Sequence, residues 1–364
     1  MVKYDLAIIG NGYDLYYNQP TRYDDFYNVV KDINDLDYEG FKEKNSCEKD
    51  LTIFYEETKC KCDSNFFFKY FIAYNKTYDC WSVFENELLS VLKIFDELLK
   101  EIENNNYVYV LNSEGKVGLI ISNGTIYEDL LEIVSKCKLY EYERAYIHPG
   151  GKLIINVDGN DKNKLYIKNE IKKYINDFPK RLYDDLIEFC DSFADYIELF
   201  VNMPKPKKLN LDFGADNVVT YNYTNIAEKL FNPASCCYIH GNLLTDKNIV
   251  FGIDSSNEEL KRFFYFYKRV QRTVRGTDYN KLDDSIYHRH RVVIIGHSLD
   301  EADDDSLKKI LIQSTRYAAI TVFYYKNDKY AVANLSNNLS RILGKDIYDT
   351  LTITKVIRFV PLEE

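Results

Sequence analysis

The chain lacks any run of 18 apolar residues, so no transmembrane helix is expected from it. It lacks paired Cys-x-x-Cys repeats, although it holds 8 cysteines. Four of them, Cys47, Cys60, Cys62 and Cys80, lie close together but without the spacing that a zinc site prefers. It lacks a basic excess: 47 Lys and Arg face 57 Asp and Glu, a net charge of -10, which speaks against a protein that wraps a nucleic-acid backbone. No metal-binding carboxylate pattern with a basic groove is present either, which argues against a nuclease. The first apolar run, Leu6-Ala7-Ile8-Ile9, is too short for a signal peptide and has no cleavage site behind it. A cytoplasmic protein with reduced thiols is the expectation, with no membrane partner and no direct nucleic-acid partner. Histidine is scarce, 5 in 364 residues, so each one at a strand end draws notice.

What is present is an ordinary globular balance, 46% hydrophobic and 29% charged, which excludes wholesale disorder. Residues 4–9 read as a buried strand ending in the turn Gly10-Asn11-Gly12, and Thr21 is placed to cap a helix starting near Arg22. From about residue 41 the pattern changes. Residues 81–104 have helical spacing, 107–111 and 117–122 suggest a hairpin around Ser113-Glu114-Gly115, and 152–156 is another short apolar run. Residues 166–202 read as helix interrupted at Pro179, and residues 203–208 as a linker. Beyond it, strands are expected at 218–221, 237–239, 249–251, 292–295, 319–324 and 351–360, with helices at 258–272 and 301–314. Short apolar strands alternating with helices predict an α/β protein: a Rossmann-like parallel sheet with helices on both faces. It would comprise residues 1–40 and 206–364, interrupted by a mainly helical insertion with a small β element at 41–205.

In such a sheet, ligands bind beyond the carboxyl ends of the strands. Four segments place polar residues or glycine there. Gly10 and Gly12 allow close approach of a diphosphate, or make an ordinary turn; Leu15 stands where a dinucleotide fingerprint needs glycine. Asn222, after Thr220-Tyr221, can position a water or a ribose hydroxyl, or cap a helix. His240, before Gly241, is a general base for work near pH 7, or a structural histidine. Gly296-His297-Ser298 completes the set, with Ser298 able to cap the next helix and bind a ribose or phosphate oxygen. The same tripeptide suits a serine-hydrolase elbow, but Asp300 replaces the second glycine and no histidine follows Ser298. Arg262, Lys268, Arg269, Arg272 and Arg275 form a basic cluster that either closes on phosphates or is a solvated helix face. The acidic run Glu301, Asp303, Asp304, Asp305 reads as structural, suited to the first turn of a helix.

Taken together these motifs resemble the bacteriophage abortive-infection AbiH family. The resemblance rests on Ile8-Ile9-Gly10-Asn11-Gly12-Tyr13-Asp14-Leu15, Pro20-Thr21-Arg22-Tyr23-Asp24-Asp25-Phe26, Trp81-x-x-Phe84-Glu85 and Thr220-Tyr221-Asn222-Tyr223-Thr224-Asn225. It continues in Ile239-His240-Gly241, Phe251-Gly252-Ile253-Asp254 and Gly296-His297-Ser298-Leu299-Asp300-Glu301-Ala302-Asp303. The order is more distantly similar to the sirtuin-like NAD-binding domains, without their four-cysteine module. That similarity implies a catalytic Asn222 and His240, with Gly296 and Ser298 against a ribose, and NAD as substrate with no prosthetic group. Asp14 is placed to hydrogen-bond ribose hydroxyls or to stabilise a ribosyl cation. The expectation is an antiphage effector that hydrolyses NAD, set off by a phage trigger and open to homo-oligomeric assembly. The alternative is a non-catalytic nucleotide sensor of a defence system.

Overall fold

A computed structural model describes residues 2–45, 49–74, 81–104, 108–111, 117–121, 133, 145–148, 152–157, 164–202, 213–243, 248–254, 260–282, 291–314 and 319–362. The turn at 113–115, the linker at 203–208 and Cys47, Cys80 and Cys137 lie outside these residues.

The strands in chain order are β1 (Val2–Ile9), β2 (Val108–Leu111), β3 (Val117–Ile121), β4 (Ala145–His148), β5 (Lys152–Val157), β6 (Phe213–Thr220), β7 (Ser235–Tyr238), β8 (Arg291–Ile295), β9 (Ala319–Tyr325) and β10 (Ile357–Leu362). Six of them form one sheet in the order β10-β9-β8-β1-β6-β7, with every pair parallel. Numbered within this sheet alone, the order is 6-5-4-1-2-3. This is the doubly wound Rossmann-like order, and its reversal falls between β1 and β8, where ligands of such sheets bind. The remaining four strands make a small antiparallel sheet, β2-β3-β5-β4.

The helices are α1 (Gly12–Tyr16), α2 (Tyr23–Asp35), α3 (Tyr38–Lys44), α4 (Thr52–Ser64), α5 (Phe66–Tyr74), α6 (Trp81–Glu103), α7 (Lys164–Phe200), α8 (Ile226–Phe231), α9 (Lys268–Val274), α10 (Asp304–Ser314), α11 (Ala331–Leu343) and α12 (Lys345–Ile353). The period of two in β1 sends Leu6 and Ile8 to one face of the sheet and Ala7 and Ile9 to the other. The first face packs on Leu307, Ile310 and Leu311 of α10 and on Leu335, Leu339 and Ile342 of α11. The second packs on Tyr13 and Tyr17 and on Ile226 and Ala227 of α8. Both faces are therefore covered there, which is why the inner half of β1, residues 6–9, reads as an unbroken apolar run.

A separate core is built by helices and is rich in phenylalanine. Phe84, Leu88, Val91, Leu92, Phe95 and Leu99 line one side of α6 and meet Phe178, Leu182, Leu186, Phe189 and Phe193 of α7. Helix α2 joins this core: the Phe26 ring lies 5.2 Å from Phe193 and 5.6 Å from Phe71.

Several expectations are corrected. Helix α7 runs through Pro179 without a break. A proline forfeits one helical hydrogen bond, and burial of Phe178 and Leu182 on either side of it outweighs that loss. Residues 249–251 are not a strand; Ile249 and Phe251 are fully buried in the helical core. Two elements replace the helix expected at 258–272: a 3-10 turn, Lys261–Phe266, and α9, separated by the extended Tyr267. The last expected strand divides into the end of α12 and β10. Thr21 does not cap α2; Arg22 occupies that position, its backbone N–H donating to Asp25 at 2.8 Å.

Candidate active site

The last shared rung of the sheet runs through Ile295, Ile9, Thr220 and Tyr238. Gly10 and Gly296 follow this rung directly, and Asn222 and His240 stand two residues beyond it. The ladder carries one step further, through Gly10 N–H to Ile295, Tyr221 N–H to Ile9 and Ile239 N–H to Thr220. Neighbouring strands stand about 4.8 Å apart. Segments more than 280 residues distant in sequence thus open onto one edge, at and beside the switch point.

At the switch itself the glycines pack backbone on backbone. A Cβ on Gly10 would lie 2.5 Å from His297 Cα, and one on Gly12 would lie 2.8 Å from the Gly296 carbonyl oxygen. Gly296 takes φ +64, and a Cβ there would meet the Tyr13 nitrogen at 2.2 Å. The N–H groups of Gly10, Gly12 and Tyr13 donate to Ile295, Gly296 and Gly10 respectively. Asn11 is locked to Thr21 by two hydrogen bonds, 2.7 and 3.0 Å. Gly241, at φ +86, admits the Asn248 backbone, whose oxygen would sit 2.1 Å from a Cβ. Ser298 has an exposed position, and its carbonyl accepts from the Asn338 amide; the helix cap falls on Asp300 instead.

Inside the edge lie Asp14, Asn222 and His240, exposed by 1%, 2% and 5%. The Asp14 Oδ2 accepts from the Thr224 hydroxyl at 2.6 Å, while its Oδ1 has no partner. Burial raises the Asp14 carboxyl to about 7, against opposing pulls from Thr224 and the nearby Asn222. Neither end of the Asn222 amide closes a hydrogen bond of good geometry, although its backbone N–H is held by the Thr220 hydroxyl at 3.0 Å. Asn222 is therefore not a helix cap; Asn225 precedes α8.

His240 Nε2 lies 2.8 Å from Asp303 Oδ1, and its Nδ1 has no partner. Burial lowers its pKa to about 4, more than Asp303 raises it. The ring is thus neutral at pH 7 rather than titrating near neutrality. Asp303 holds the Nε2 proton and leaves the Nδ1 lone pair open. His297 is set by a different contact: its Nδ1 accepts from Leu299 N–H at 2.9 Å, leaving Nε2 without a hydrogen bond and 3.7 Å from Asp303 Oδ2. The Tyr221 ring packs edge-on to both imidazoles.

Asp303 is the residue that composition concealed. In an acidic stretch it reads as one more carboxylate suited to a helix dipole, yet it turns inward to His240, Lys268 and His297. Burial alone would raise it, but Lys268 and then His240 hold its carboxyl well below the usual range. Lys268 also donates to Glu85 Oε2 at 2.8 Å and to the Ala302 carbonyl at 2.7 Å. Burial raises Glu85 to about 7 against the pull of Lys268. A usable signal did exist: Glu85 closes the motif Trp81-x-x-Phe84-Glu85, and Asp303 closes the motif that begins at Gly296. Of the basic cluster, Arg262 pairs with Asp96 and Glu103, and Arg275 with Asp191.

The roof over this edge is the helical core. Tyr223 touches it through Phe193 and Phe251, at 5.3 and 5.6 Å, and its own ring lies 6.3 Å from His240.

Asp14 gives a pH-dependent prediction. Its folded pKa of about 7 exceeds the ordinary 3.8, so its contribution favours the folded state below 3.8 and is lost as pH rises through 7. An asparagine keeps an oxygen for the Thr224 hydroxyl but cannot ionise. The stability of Asp14→Asn relative to wild type should therefore rise from pH 5 to pH 8, by on the order of 3 kcal/mol. Urea unfolding of both proteins at the two pH values measures it, and a gap independent of pH contradicts it.

These features define a Rossmann-like α/β protein with an enclosed polar site at the carboxyl edge of its doubly wound sheet. A family model of bacteriophage abortive infection AbiH matches residues 6–325, and the chain belongs to that family. Its role is in phage abortive infection. No curated protein and no solved structure matches the chain. No helix among the described residues is long and apolar enough to cross a membrane.

Proposed function

We propose that this AbiH protein acts in abortive infection by hydrolysing NAD at the nicotinamide–ribose bond. One observation carries the reading. Asn222 and His240 stand at the ends of adjacent parallel strands beside the switch point, both buried, each with side-chain polar atoms that close no hydrogen bond of good geometry with a protein group. Buried polar atoms are nearly always paired, and exceptions concentrate at functional sites.

The chemistry needs little more. The bond from the anomeric carbon to the nicotinamide nitrogen breaks, nicotinamide leaves with the electron pair, and positive charge spreads over the ribose ring. The Asn222 amide orients a water or the ribose hydroxyls. The water adds to the anomeric carbon and gives its proton to His240 Nδ1, leaving ADP-ribose. Asp303, on the opposite ring nitrogen, stabilises the imidazolium as it forms. General-base help of this kind is worth roughly 10² to 10⁴ in rate. Asp14, once ionised, offers a carboxylate to the cationic ribose or its hydroxyls.

With every one of these groups enclosed, the dinucleotide reaches them only when the helical roof parts from the sheet edge. A minor open form admits ligands to the free protein, and a phage trigger would raise its population, so the closed arrangement restrains a cell-killing hydrolase before infection. The test incubates purified protein with NAD, alone and with extract of phage-infected cells, and follows nicotinamide release. Wild type should release nicotinamide in the presence of the trigger, and His240→Ala and Asn222→Ala should fall by at least about 10². Full turnover in both variants removes these residues from the mechanism. Binding of NAD without product under either condition makes the protein a sensor instead.

A further inference from the structure

Arg262, Lys268, Arg269, Arg272 and Arg275 lie in and around α9, and their fates differ. Arg262 and Arg275 are paired with carboxylates of the helical core. Arg269 is exposed beside the Tyr267 ring. Lys268 is buried with its three donors spent on Glu85, the Ala302 carbonyl and Asp303. Arg272, one helical turn further along the same face, is 2% exposed and is not satisfied. Its Nε has no hydrogen-bond partner. Among the described residues, the single carboxylate oxygen within reach is Asp303 Oδ1, 4.0 Å from Nη2. That oxygen already accepts from His240 at 2.8 Å and Lys268 at 3.2 Å.

A guanidinium carries five N–H groups in one plane. The central carbon lies over the Tyr279 ring, 4.8 Å from its centroid, a contact that uses none of the five donors. Burying a cation with neither a carboxylate in contact nor filled donors carries a large desolvation penalty. Stacking on one tyrosine does not offset that. The position is also inside the site already described: the Arg272 charge acts on His240, Tyr221 and Tyr223.

We propose that Arg272 is an anion-binding residue of this site and receives a phosphate group of the bound nucleotide. The planar donor edge matches an oxyanion bidentately, which a lysine cannot do. This assigns phosphate recognition to α9, since the N–H groups of Gly10, Gly12 and Tyr13 are committed to the sheet and its turn. The nucleotide part rests on the NAD reading; the anion part does not.

The test is calorimetric titration of the whole protein with pyrophosphate, ADP-ribose and adenosine, so that hydrolysis plays no part. Wild type should bind pyrophosphate and ADP-ribose. Arg272→Met, which keeps the stem packed on Tyr279, should weaken both at least about tenfold, while adenosine shows no dependence on residue 272. Arg272→Lys retains the charge and guards against a misfolded methionine variant; it should weaken both ligands severalfold. Pyrophosphate binding unchanged in either folded variant, or absent from wild type, overturns the proposal. Pyrophosphate binding that depends on Arg272, in a protein that neither binds ADP-ribose nor cleaves NAD, upholds the anion site and sinks the dinucleotide reading.

Discussion

Asp303→Ala should destabilise the protein by about 3–5 kcal/mol, the cost of removing one partner from a buried ion pair. The carboxylate side chain is 17% exposed and serves Lys268 and His240, whose side chains are 4% and 7% exposed, at hydrogen-bonding distance. It is also the only carboxylate within 4.0 Å of Arg272 among the described residues. Its removal leaves Lys268 with Glu85 as its remaining carboxylate, and Glu85 is itself pushed up to about 7, so near neutrality it is only partly ionised. Arg272 then has no counterion at all. Glu85→Gln removes far less, because the protonated form already resembles the amide, and should cost about 1 kcal/mol. Urea unfolding of the three proteins at pH 7 decides it. An Asp303→Ala protein within about 0.5 kcal/mol of wild type, the range of ordinary surface substitutions, would mean that the cluster is no linked network.

A similarly large effect is expected from Gly296→Ala, and here the cause is space as well as backbone angle. Gly276 supplies the control. Both glycines take positive φ, +64 and +67, so either alanine meets the same left-handed strain of roughly 1–2 kcal/mol. Around Gly276 nothing lies within 4 Å of an added Cβ. At Gly296 the new atom would stand 2.2 Å from the Tyr13 nitrogen and 2.7 Å from the Gly12 carbonyl carbon, both backbone, with no flexible side chain to yield. Either the two strand ends separate or the Gly12 N–H bond to Gly296, 2.8 Å, is lost. Gly296→Ala should therefore cost at least about 3 kcal/mol more than Gly276→Ala, at the upper end of overpacking losses, and the switch-point site should be disrupted with it. Matched chemical unfolding of the two variants tests this; equal losses would show that the β1–β8 contact has slack.

The central architecture was legible because its signals are local. A strand covered on both faces must be apolar throughout, and the residues just past it must turn, so Ile8-Ile9-Gly10 and Ile294-Ile295-Gly296 announce both the strand and its end. The chain order of those segments also allowed the edge to be inferred. What escaped depends on partners distant in sequence. Ile249 and Phe251 have the composition of a strand, but the helical core claims them. Pro179 carries a breaker's signature that packing overrides. Asp303 and Glu85 look like surface carboxylates until Lys268 is brought between them. The basic residues near α9 have equal charge in sequence, and only the positions of Asp96, Asp191 and Asp303 separate the paired ones from Arg272.

The most direct measurement is a crystal structure of the protein with ADP-ribose bound. The ribose should lie between Asp14, Asn222 and His240, with the Asn222 amide and His240 Nδ1 each hydrogen-bonded to a hydroxyl or to the water beside the anomeric carbon. Density for the ligand at another surface, with those side chains still enclosed and bonded only to one another or to solvent, would contradict the account.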